Sequence, residues 1–266
     1  MRPGGSRISN FQHPIPIRMD LDVLFLPGEL PARPRPEGAA AVIDVIRATT
    51  TIVTAFQQGV RSIVPVASPE EARNASATIP GSILAGERGG RRIPNFGLGN
   101  SPREFTREAV ADKDVILSTS NGTKTLRAVG EGRRVAIAAF LNRAAVATWL
   151  TARREDSLIV CSGYEGTFSL EDAVCAGAVV ERALSHNVQP TLGDGAKACL
   201  ALWQRFGTDL TTLVRESAWG RRVVGLGLGA DLDVCAKLDV TDVVPVMVEG
   251  RIALEPREFS AEERQR

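Results

Sequence analysis

An acid, a cation and three threonines stand together where an apolar run of the sequence ends. Asp44 and Val45 follow "AAAVI", and Arg47 and Thr49 to Thr51 come next. A cation at a helix start opposes the helix dipole, and threonine is a mediocre helix former. A phosphate at this position would accept hydrogen bonds from the guanidinium, from the hydroxyls of Thr49 to Thr51 and from backbone N–H groups. The alternative is that Arg47 reaches solvent and the threonines only cap the helix.

Two more strand-like runs end in small polar residues. "STSNGT" places Asn121, Gly122 and Thr123 after an apolar run, and "CSGYEGTFSLED" follows another. The acids of the second segment are Glu165, Glu171 and Asp172. In open α/β sheets, ligands bind beyond the carboxyl ends of the strands, where helix starts turn their N–H groups outward. We therefore expect these segments to converge on one ligand.

The segment "LAGERGGRRIPNFGLGNSP" (84–102) is a polar loop rich in glycine. It contains Glu87, Arg88, Arg91 and Asn100. Glycine lets the backbone approach a ligand closely, and a long polar loop inside a compact domain is more often functional than idle. Glu87 is a candidate metal ligand, and an ion pair with Arg88 or Arg91 is its alternative role.

The carboxylates at these positions suit a hard cation. The candidate ligands are Asp44, Glu87, Glu165 and Asp172. Their oxygen donors favour Mg²⁺ over zinc. The sequence has only two histidines, so phosphohistidine chemistry and Ser-His-Asp triads have almost no candidates. The pattern therefore indicates a magnesium site next to an anion site.

Composition limits the partners. The 266 residues include 44% hydrophobic and 24% charged side chains, and the formal net charge is +1. Neither nucleic acid nor a membrane surface is therefore an expected partner. No apolar run is long enough to cross a membrane, and the four cysteines form no C-x-x-C pair, which is typical of a reduced cytoplasmic protein. We expect a small anionic phosphate ester as the partner and leave a homodimer open.

Strand and helix signals alternate along most of the chain. "AAAVIDV", "SIVPVA" and "SLIVCSG" are typical of buried strands, and "SPEEARNASA" predicts a helix with Ser68 as N-cap and Pro69 at its first position. This rhythm predicts one compact α/β unit over residues 20–255, a three-layer α/β/α fold with a mainly parallel sheet. Residues 1–19 are predicted to be a disordered or extra N-terminal tail, and residues 256–266 a charged C-terminal tail.

A weak internal repeat is visible. "RATTTIVTAFQQGVRSIVPVASPEEA" and "NGTKTLRAVGEGRRVAIAAFLNRAAV" share a Thr-x-Thr-apolar start, a glycine stop, a strand and a following helix. The repeat predicts a duplicated fold of two similar halves. Chance similarity is the alternative, because any two βα units look alike.

Two other motifs are weaker. "DLDVL" has the D-x-D spacing of the nucleophile in haloacid-dehalogenase-type phosphatases, at Asp20 and Asp22. In that family the apolar strand precedes the acids, whereas here it follows them. "GLGLGA" (225–230) matches a dinucleotide-binding fingerprint, but too few apolar residues precede it to form the strand that this motif needs.

A combination of motifs resembles one family. In order along residues 20 to 250 these are "VIDVIRATTTI", "LAGERGG", "LGNSP", "STSNGT", "FLN", "CSGYEGTFSLEDAVCAG" and "CAKLDVTDVVPV", and together they closely resemble the 2-phosphosulfolactate phosphatase family. The resemblance implies a Mg²⁺-dependent phosphatase that converts 2-phospho-3-sulfolactate into sulfolactate and phosphate, a step toward coenzyme M. It also implies an α/β/α fold of two similar, intertwined halves.

The candidate site residues divide by role. Residues expected to hold the phosphoryl group are Arg47, Thr49, Thr50, Asn100, Asn121, Gly122 and Thr123. Residues expected to neutralise the sulfonate and carboxylate are Arg88, Arg91 and, in "WGRR", Arg221 or Arg222. The catalytic candidates are Asp44, Arg47, Glu87 and Glu165. Which acid is ligand, base or nucleophile is open, and an aspartyl-phosphate route through Asp44 is included.

Two alternatives belong to other classes. A non-catalytic anion or nucleotide sensor would use the same helix starts without needing the carboxylates. A haloacid-dehalogenase-type enzyme would depend on Asp20 and Asp22 instead of Asp44.

Overall fold

A computed structural model describes residues 19–32, 38–130, 133–186 and 190–255. The two predicted tails lie outside these residues, apart from Met19. Met19 is fully buried, and its carbonyl accepts a hydrogen bond from the backbone N–H of Thr191. Met19 therefore belongs with the folded unit rather than with the tail.

The described chain contains eleven strands and ten α-helices. The strands are β1 Asp20–Leu24, β2 Ala40–Ile43, β3 Ser62–Pro65, β4 Ile83–Arg88, β5 Arg91–Arg92, β6 Asp114–Ser118, β7 Val135–Ala138, β8 Ser157–Cys161, β9 Thr191–Leu192, β10 Pro245–Val248 and β11 Arg251–Leu254. The helices are α1 Ala48–Gln57, α2 Pro69–Thr78, α3 Arg107–Val110, α4 Gly122–Val129, α5 Arg143–Ala152, α6 Leu170–Leu184, α7 Asp194–Phe206, α8 Leu210–Glu216, α9 Ala218–Gly225 and α10 Leu232–Cys235. Short 3-10 turns lie at Pro27–Ala32, Pro102–Glu104, Phe140–Asn142 and Gly229–Asp231.

All strands join one sheet in the order β5-β4-β6-β3-β11-β10-β7-β2-β8-β1-β9. Most neighbours are parallel. The exceptions are β4 with β5 and the hairpin of β10 and β11, which is also antiparallel to β7 and to β3. Every residue of β2 and β7 is buried, as expected of parallel strands with helices on both faces. The predicted α/β fold with a mainly parallel sheet is confirmed.

Two helices, α1 and α4, pack against the inner face of the curved sheet, whereas the other long helices pack against its outer face. One apolar cluster contains residues of α1 and α4 together with inward-facing residues from both halves of the sheet, such as Val42 of β2 and Val115 of β6. Residues of the opposite face of β2, such as Ile43, pack instead with α5, α6 and α7. On the other half, Ile116 packs with Ala72 of α2.

The sheet curves strongly around these two helices. Five strand spacings separate β2 from β6, which would be about 24 Å in a flat sheet. The carboxyl ends of these strands nevertheless meet, because a Cβ added to Gly122 would lie 2.8 Å from Oδ2 of Asp44. This curvature brings together segments that are distant in the sheet, and it creates the site described below.

The repeat segments occupy equivalent places in the sheet. Residues 47–72 contain α1, β3 and the start of α2, and residues 121–146 contain α4, β7 and the start of α5. The order β4-β6-β3 on one side of the hairpin mirrors β8-β2-β7 on the other, so two strands of each half flank one strand of the other half. This order is compatible with intertwined halves, and the duplication itself stays a prediction.

The predicted features of α2 are present. Ser68 accepts a hydrogen bond from the N–H of Glu71 through its side chain, and Pro69 is the first helical residue. The four cysteines are buried and unpaired. Among the described residues, no helix combines the length and apolar character needed to cross a membrane.

Gly177 permits the close approach of α6 and α7, and its replacement tests this packing. A Cβ at this position would overlap the carbonyl oxygen of Cys199. We expect Gly177→Ala to lower the free energy of unfolding by about 2 kcal/mol despite alanine's higher helix propensity. Urea denaturation measures the change. Gly225→Ala is the control, since a Cβ there has no neighbour within 4 Å; an equal loss in both variants would contradict the packing argument.

Candidate active site

Loops from distant parts of the chain surround a small cavity of about 80 Å³. They follow β2, β4, β5, β6 and β8, and the start of α9 closes one side. The lining residues are Asp44, Ile46, Arg47, Glu87, Gly89, Asn100, Thr119, Ser120, Asn121, Tyr164, Glu165 and Trp219. Six predicted site residues are thereby brought together, namely Asp44, Arg47, Glu87, Asn100, Asn121 and Glu165.

Asp44 lies where the two interior helices begin. Its Oδ1 accepts a hydrogen bond from the N–H of Ala48, the first residue of α1, at 3.1 Å. Its carboxylate also accepts a hydrogen bond from the N–H of Gly122, the first residue of α4. The helix starts that the sequence assigned to a bound phosphate therefore hold a carboxylate of the protein itself.

The charge of Asp44 is costly in this position. Burial is the main cause that raises its pKa from 3.8 to about 7, and the hydrogen bond from Ala48 opposes the rise. The nearby charges of Glu87 and Glu171 raise the pKa further. Asp44 is thus poised near neutrality, the range in which a carboxyl group can exchange a proton or accept a cation.

Glu87 is held by two backbone donors. Its Oε2 accepts from the N–H of Gly90 at 2.7 Å, and its Oε1 accepts from the N–H of Ser120 at 2.7 Å. Gly86, the preceding residue, has a φ of 150°, and a Cβ there would overlap the carbonyl oxygen of Ser118. The glycine-rich loop therefore fixes Glu87 against the loop after β6. Among the described residues Glu87 forms no ion pair with Arg88 or Arg91, since Arg88 donates to Ser118 and Ala67 and Arg91 is exposed.

Arg47 forms a buried ion pair. Its Nη1 lies 2.6 Å from Oδ2 of Asp231, both side chains are 2% exposed, and its Nη2 donates to the carbonyl of Gly90 at 2.7 Å. Ser101 donates to the other oxygen of Asp231 at 2.6 Å. Asp231 therefore neutralises the cation at the start of α1. Sequence reasoning missed it, because it lies 184 positions away and the weak "GLGLGA" match that precedes it gave no reason to pair it with Arg47.

The threonines serve the framework rather than the cavity lining. Thr49, Thr50 and Thr123 are fully buried, and their hydroxyls donate to the backbone carbonyls of Asp44, Val45 and Thr119, respectively. These bonds fix the loops that carry the site. The structure thus supports neither role predicted for the threonines, because they do not cap α1 or α4, whose N-cap residues make no side-chain capping hydrogen bond in the described part of the chain. Arg47 does not reach solvent.

The predicted substrate arginines do not line the cavity. Arg88 donates to the backbone and side chain of Ser118 and to the carbonyl of Ala67, Arg91 is exposed on β5, and Arg221 and Arg222 are exposed on α9. Burial is the main cause that raises the pKa of Tyr164, and the positive charge of nearby Arg222 opposes this rise.

The four acids predicted as metal ligands do not form one ligand set. Asp172 is buried beneath the cavity, where its oxygens accept from the N–H groups of Val45 and Gly163 at 2.8 and 3.2 Å. Burial, and then the charges of Glu171 and Asp44, raise the pKa of Asp172 well above its ordinary value. Among residues 19–32, 38–130, 133–186 and 190–255, no three His, Cys, Asp or Glu side chains are arranged to hold a metal ion.

Two buried polar atoms near the site have no hydrogen-bond partner. These are Oδ1 of Asn100, which lines the cavity, and Oγ of Ser162. A buried oxygen without a partner is costly. Asn100 Oδ1 is therefore an acceptor that a cation or a water molecule would satisfy.

Asp22 has a structural role away from the cavity. Its Oδ1 accepts hydrogen bonds from the N–H groups of Val23 and Ala196, the latter in the first turn of α7. Asp22 of β1 pairs with Leu158 of β8, and Leu158 pairs with Ala40 of β2. Asp22 is therefore level with Ala40, about 13 Å from Asp44 along the strand direction. This position does not support the haloacid-dehalogenase alternative.

Comparisons with known proteins agree with the resemblance. The family model described as 2-phosphosulpholactate phosphatase matches residues 24–250. A relative from Synechococcus sp. (strain JA-2-3B'a(2-13)) is 43% identical over 231 residues, which are 85% of this chain and 94% of the relative. A relative from Carboxydothermus hydrogenoformans is 38% identical over 239 residues, 89% of this chain and 98% of the relative. Both are named "Probable 2-phosphosulfolactate phosphatase".

The pKa of Asp44 predicts how the stability of the metal-free protein depends on pH. Because the folded-state pKa of about 7 exceeds the ordinary 3.8, the folded state binds this proton more tightly than the unfolded state. The free energy of unfolding in EDTA should therefore fall as pH rises from about 4 to 7. Denaturation at several pH values should show a shallower slope for Asp44→Asn, and an unchanged slope would contradict the assignment.

The buried ion pair of Arg47 predicts that loss of the charge on Asp231 strongly lowers the free energy of unfolding. Asp231→Asn should lower the free energy of unfolding by about 3–5 kcal/mol, because it leaves a buried guanidinium without its counter-charge. Asp233→Asn is the matched control two positions away, since its pair with Arg215 is 60% and 39% exposed and worth at most about 1 kcal/mol. Similar losses in both variants, measured by urea denaturation, would refute the burial argument.

Proposed function

The chain belongs to the 2-phosphosulfolactate phosphatase family, and from this membership we propose that it hydrolyses 2-phospho-3-sulfolactate to sulfolactate and phosphate with the assistance of Mg²⁺. The activity class follows from the family. The substrate and the metal are supported by the chemistry of the cavity.

The charge balance of the cavity carries the proposal for a metal. Its lining has three carboxylates, Asp44, Glu87 and Glu165, and one guanidinium, Arg47, which Asp231 already neutralises. A phosphate monoester carries nearly two negative charges at neutral pH. Such a group cannot be held beside this lining unless a further cation is present.

The donor set fits magnesium. Asp44, Glu87 and the unpartnered Oδ1 of Asn100 offer hard oxygens. Mg²⁺ is commonly held by one or two carboxylates, with water and substrate phosphate completing its shell. Asp44 and Glu87 would hold the ion, which when bound supplies charge neutralisation at the phosphate and lowers the pKa of a water molecule.

The other lining residues would orient the ester. Arg47 is fixed by Asp231 and by the Gly90 carbonyl, and its remaining N–H groups would bind a phosphoryl oxygen. The side chain of Asn121 makes no capping hydrogen bond and would provide a neutral donor. Glu165 is the exposed acid of the cavity and would accept the proton of the water that attacks phosphorus. The ester P–O bond breaks at the same time, and the leaving alkoxide takes a proton from solvent.

A panel of phosphorylated hydroxy acids, assayed with and without EDTA, tests the proposal. We expect release of phosphate from 2-phospho-3-sulfolactate, loss of activity in EDTA and recovery on addition of Mg²⁺. Turnover that EDTA leaves untouched would remove the metal from the mechanism. Tight binding of the esters without turnover of any of them would favour a sensor.

Amide substitution of the two inner acids should separate this site from the Asp22 alternative. We expect Asp44→Asn and Glu87→Gln each to lower kcat/KM by about 10³-fold, since each removes a charge aimed at the reacting group. Asp22→Asn should stay near the wild-type rate, because Asp22 lies on β1 and binds the start of α7, outside the cavity. Severe loss in Asp22→Asn, with the fold intact by circular dichroism, would overturn this placement.

A further inference from the structure

The cavity has room for one end of a substrate. Its volume of about 80 Å³ is well below the roughly 300–1,000 Å³ of pockets that enclose drug-sized ligands. A phosphoryl group can enter beside Asp44 and Glu87, but the organic part of the ester has to lie toward the exposed side. That side is formed by Tyr164, Glu165 and Trp219.

Tyr164 and Trp219 form an aromatic wall at this exposed side. Their ring centroids are 4.8 Å apart with an interplanar angle of 27°, a stacked arrangement. The rings come from different segments, the loop between β8 and α6 and the first turn of α9. Neither position was identified as functional from the sequence, since a single tyrosine and a tryptophan beside "GRR" have no recognisable spacing.

Trp219 is seated on the turn that organises the inner site. A Cβ added to Gly90 would lie 3.4 Å from Cη2 of Trp219. Gly90 is also the residue whose N–H binds Glu87 and whose carbonyl binds Arg47. The indole therefore contacts the same backbone that fixes Glu87 and Arg47. This rigid backbone sets the distance between the indole and the inner part of the cavity, beside Asp44 and Glu87, where a phosphoryl group can enter.

Tyr164 is fixed by a tight turn. Its N–H and carbonyl pair with Thr167 at 3.0 and 2.9 Å, and the Thr167 hydroxyl donates to the same carbonyl at 2.7 Å. Gly163 has a φ of 68°, and a Cβ there would overlap Leu26. The loop thus presents the phenol ring in one place rather than allowing it to swing freely.

From this geometry, and resting on the proposed phosphatase function, we propose that Trp219 and Tyr164 determine substrate size: their stacked rings admit a compact phosphorylated hydroxy acid and exclude phosphate esters with bulky leaving groups. The two residues act by steric exclusion. Replacing Trp219 by a smaller side chain opens space beside the inner part of the cavity and removes no charged group of the lining.

Kinetic selectivity tests this proposal. We compare kcat/KM for 2-phospho-3-sulfolactate with kcat/KM for phenyl phosphate in Mg²⁺. Trp219→Ala should raise the ratio of kcat/KM for phenyl phosphate to kcat/KM for 2-phospho-3-sulfolactate by about 10–100-fold, which is the range of selectivity that steric contacts in a pocket provide. Trp219→Phe, which keeps a stacked ring, should produce a smaller rise. Trp149→Ala is the control, because Trp149 packs on Arg153 and binds Glu255 elsewhere.

The outcomes separate this proposal from the proposed function. An active wild type whose ratio does not change in Trp219→Ala, or whose variant loses rate equally for both esters, refutes the size limit alone. A wild type that hydrolyses no ester refutes the proposed function. The size limit is then tested by calorimetric titration of both esters with Mg²⁺. If the affinity ratio of the two esters is the same in the wild type and in Trp219→Ala, the size limit is overturned. If the variant binds phenyl phosphate more tightly relative to the smaller ester, the size limit is upheld.

Discussion

The carboxylate of Asp44 is the point at which the sheet, the interior helices and the site depend on one another. It accepts N–H groups from the first residues of α1 and α4, so two helix dipoles are directed at one buried charge. This contact needs Gly122, because a Cβ there would lie 2.6 Å from that of Ala48. The strong curvature of the sheet follows, since β2 and β6 have to end at the same place.

Charge is concentrated around this point without matching cations. Glu87, Glu171 and Asp172 are also buried, and the single buried guanidinium of the cavity is neutralised by Asp231. Burial raises the pKa of Glu171, against hydrogen bonds from Ser169 and Ser217. Acids packed this closely resist ionisation together, so the site gains most from a divalent cation and from a rigid surrounding backbone.

Sequence patterns predicted the features that depend on local rules. The buried runs of β2 and β8 indicated a parallel sheet, and acids at the ends of parallel strands indicated a shared site, which the structure assembles from Asp44, Glu87 and Glu165. Contacts across long separations were not accessible in this way. Trp219 and Asp231 reach the site from α9 and the 3-10 turn after it, and no spacing links them to Arg47 or Gly90.

The run of threonines after Asp44 shows why local rules failed where they did. Thr49, Thr50 and Thr51 each satisfy a buried carbonyl, the last at Asn100 on the far loop. A phosphate would have explained the same hydroxyls, because a phosphate oxygen and a buried carbonyl oxygen both need a donor at the helix start. The difference is burial: the hydroxyls are sealed from the cavity and hold its walls. Weak helix formers are therefore tolerated in α1, since their hydroxyls hold the backbone of Asp44, Val45 and Asn100 in one rigid frame, as a site that relies on positioning requires.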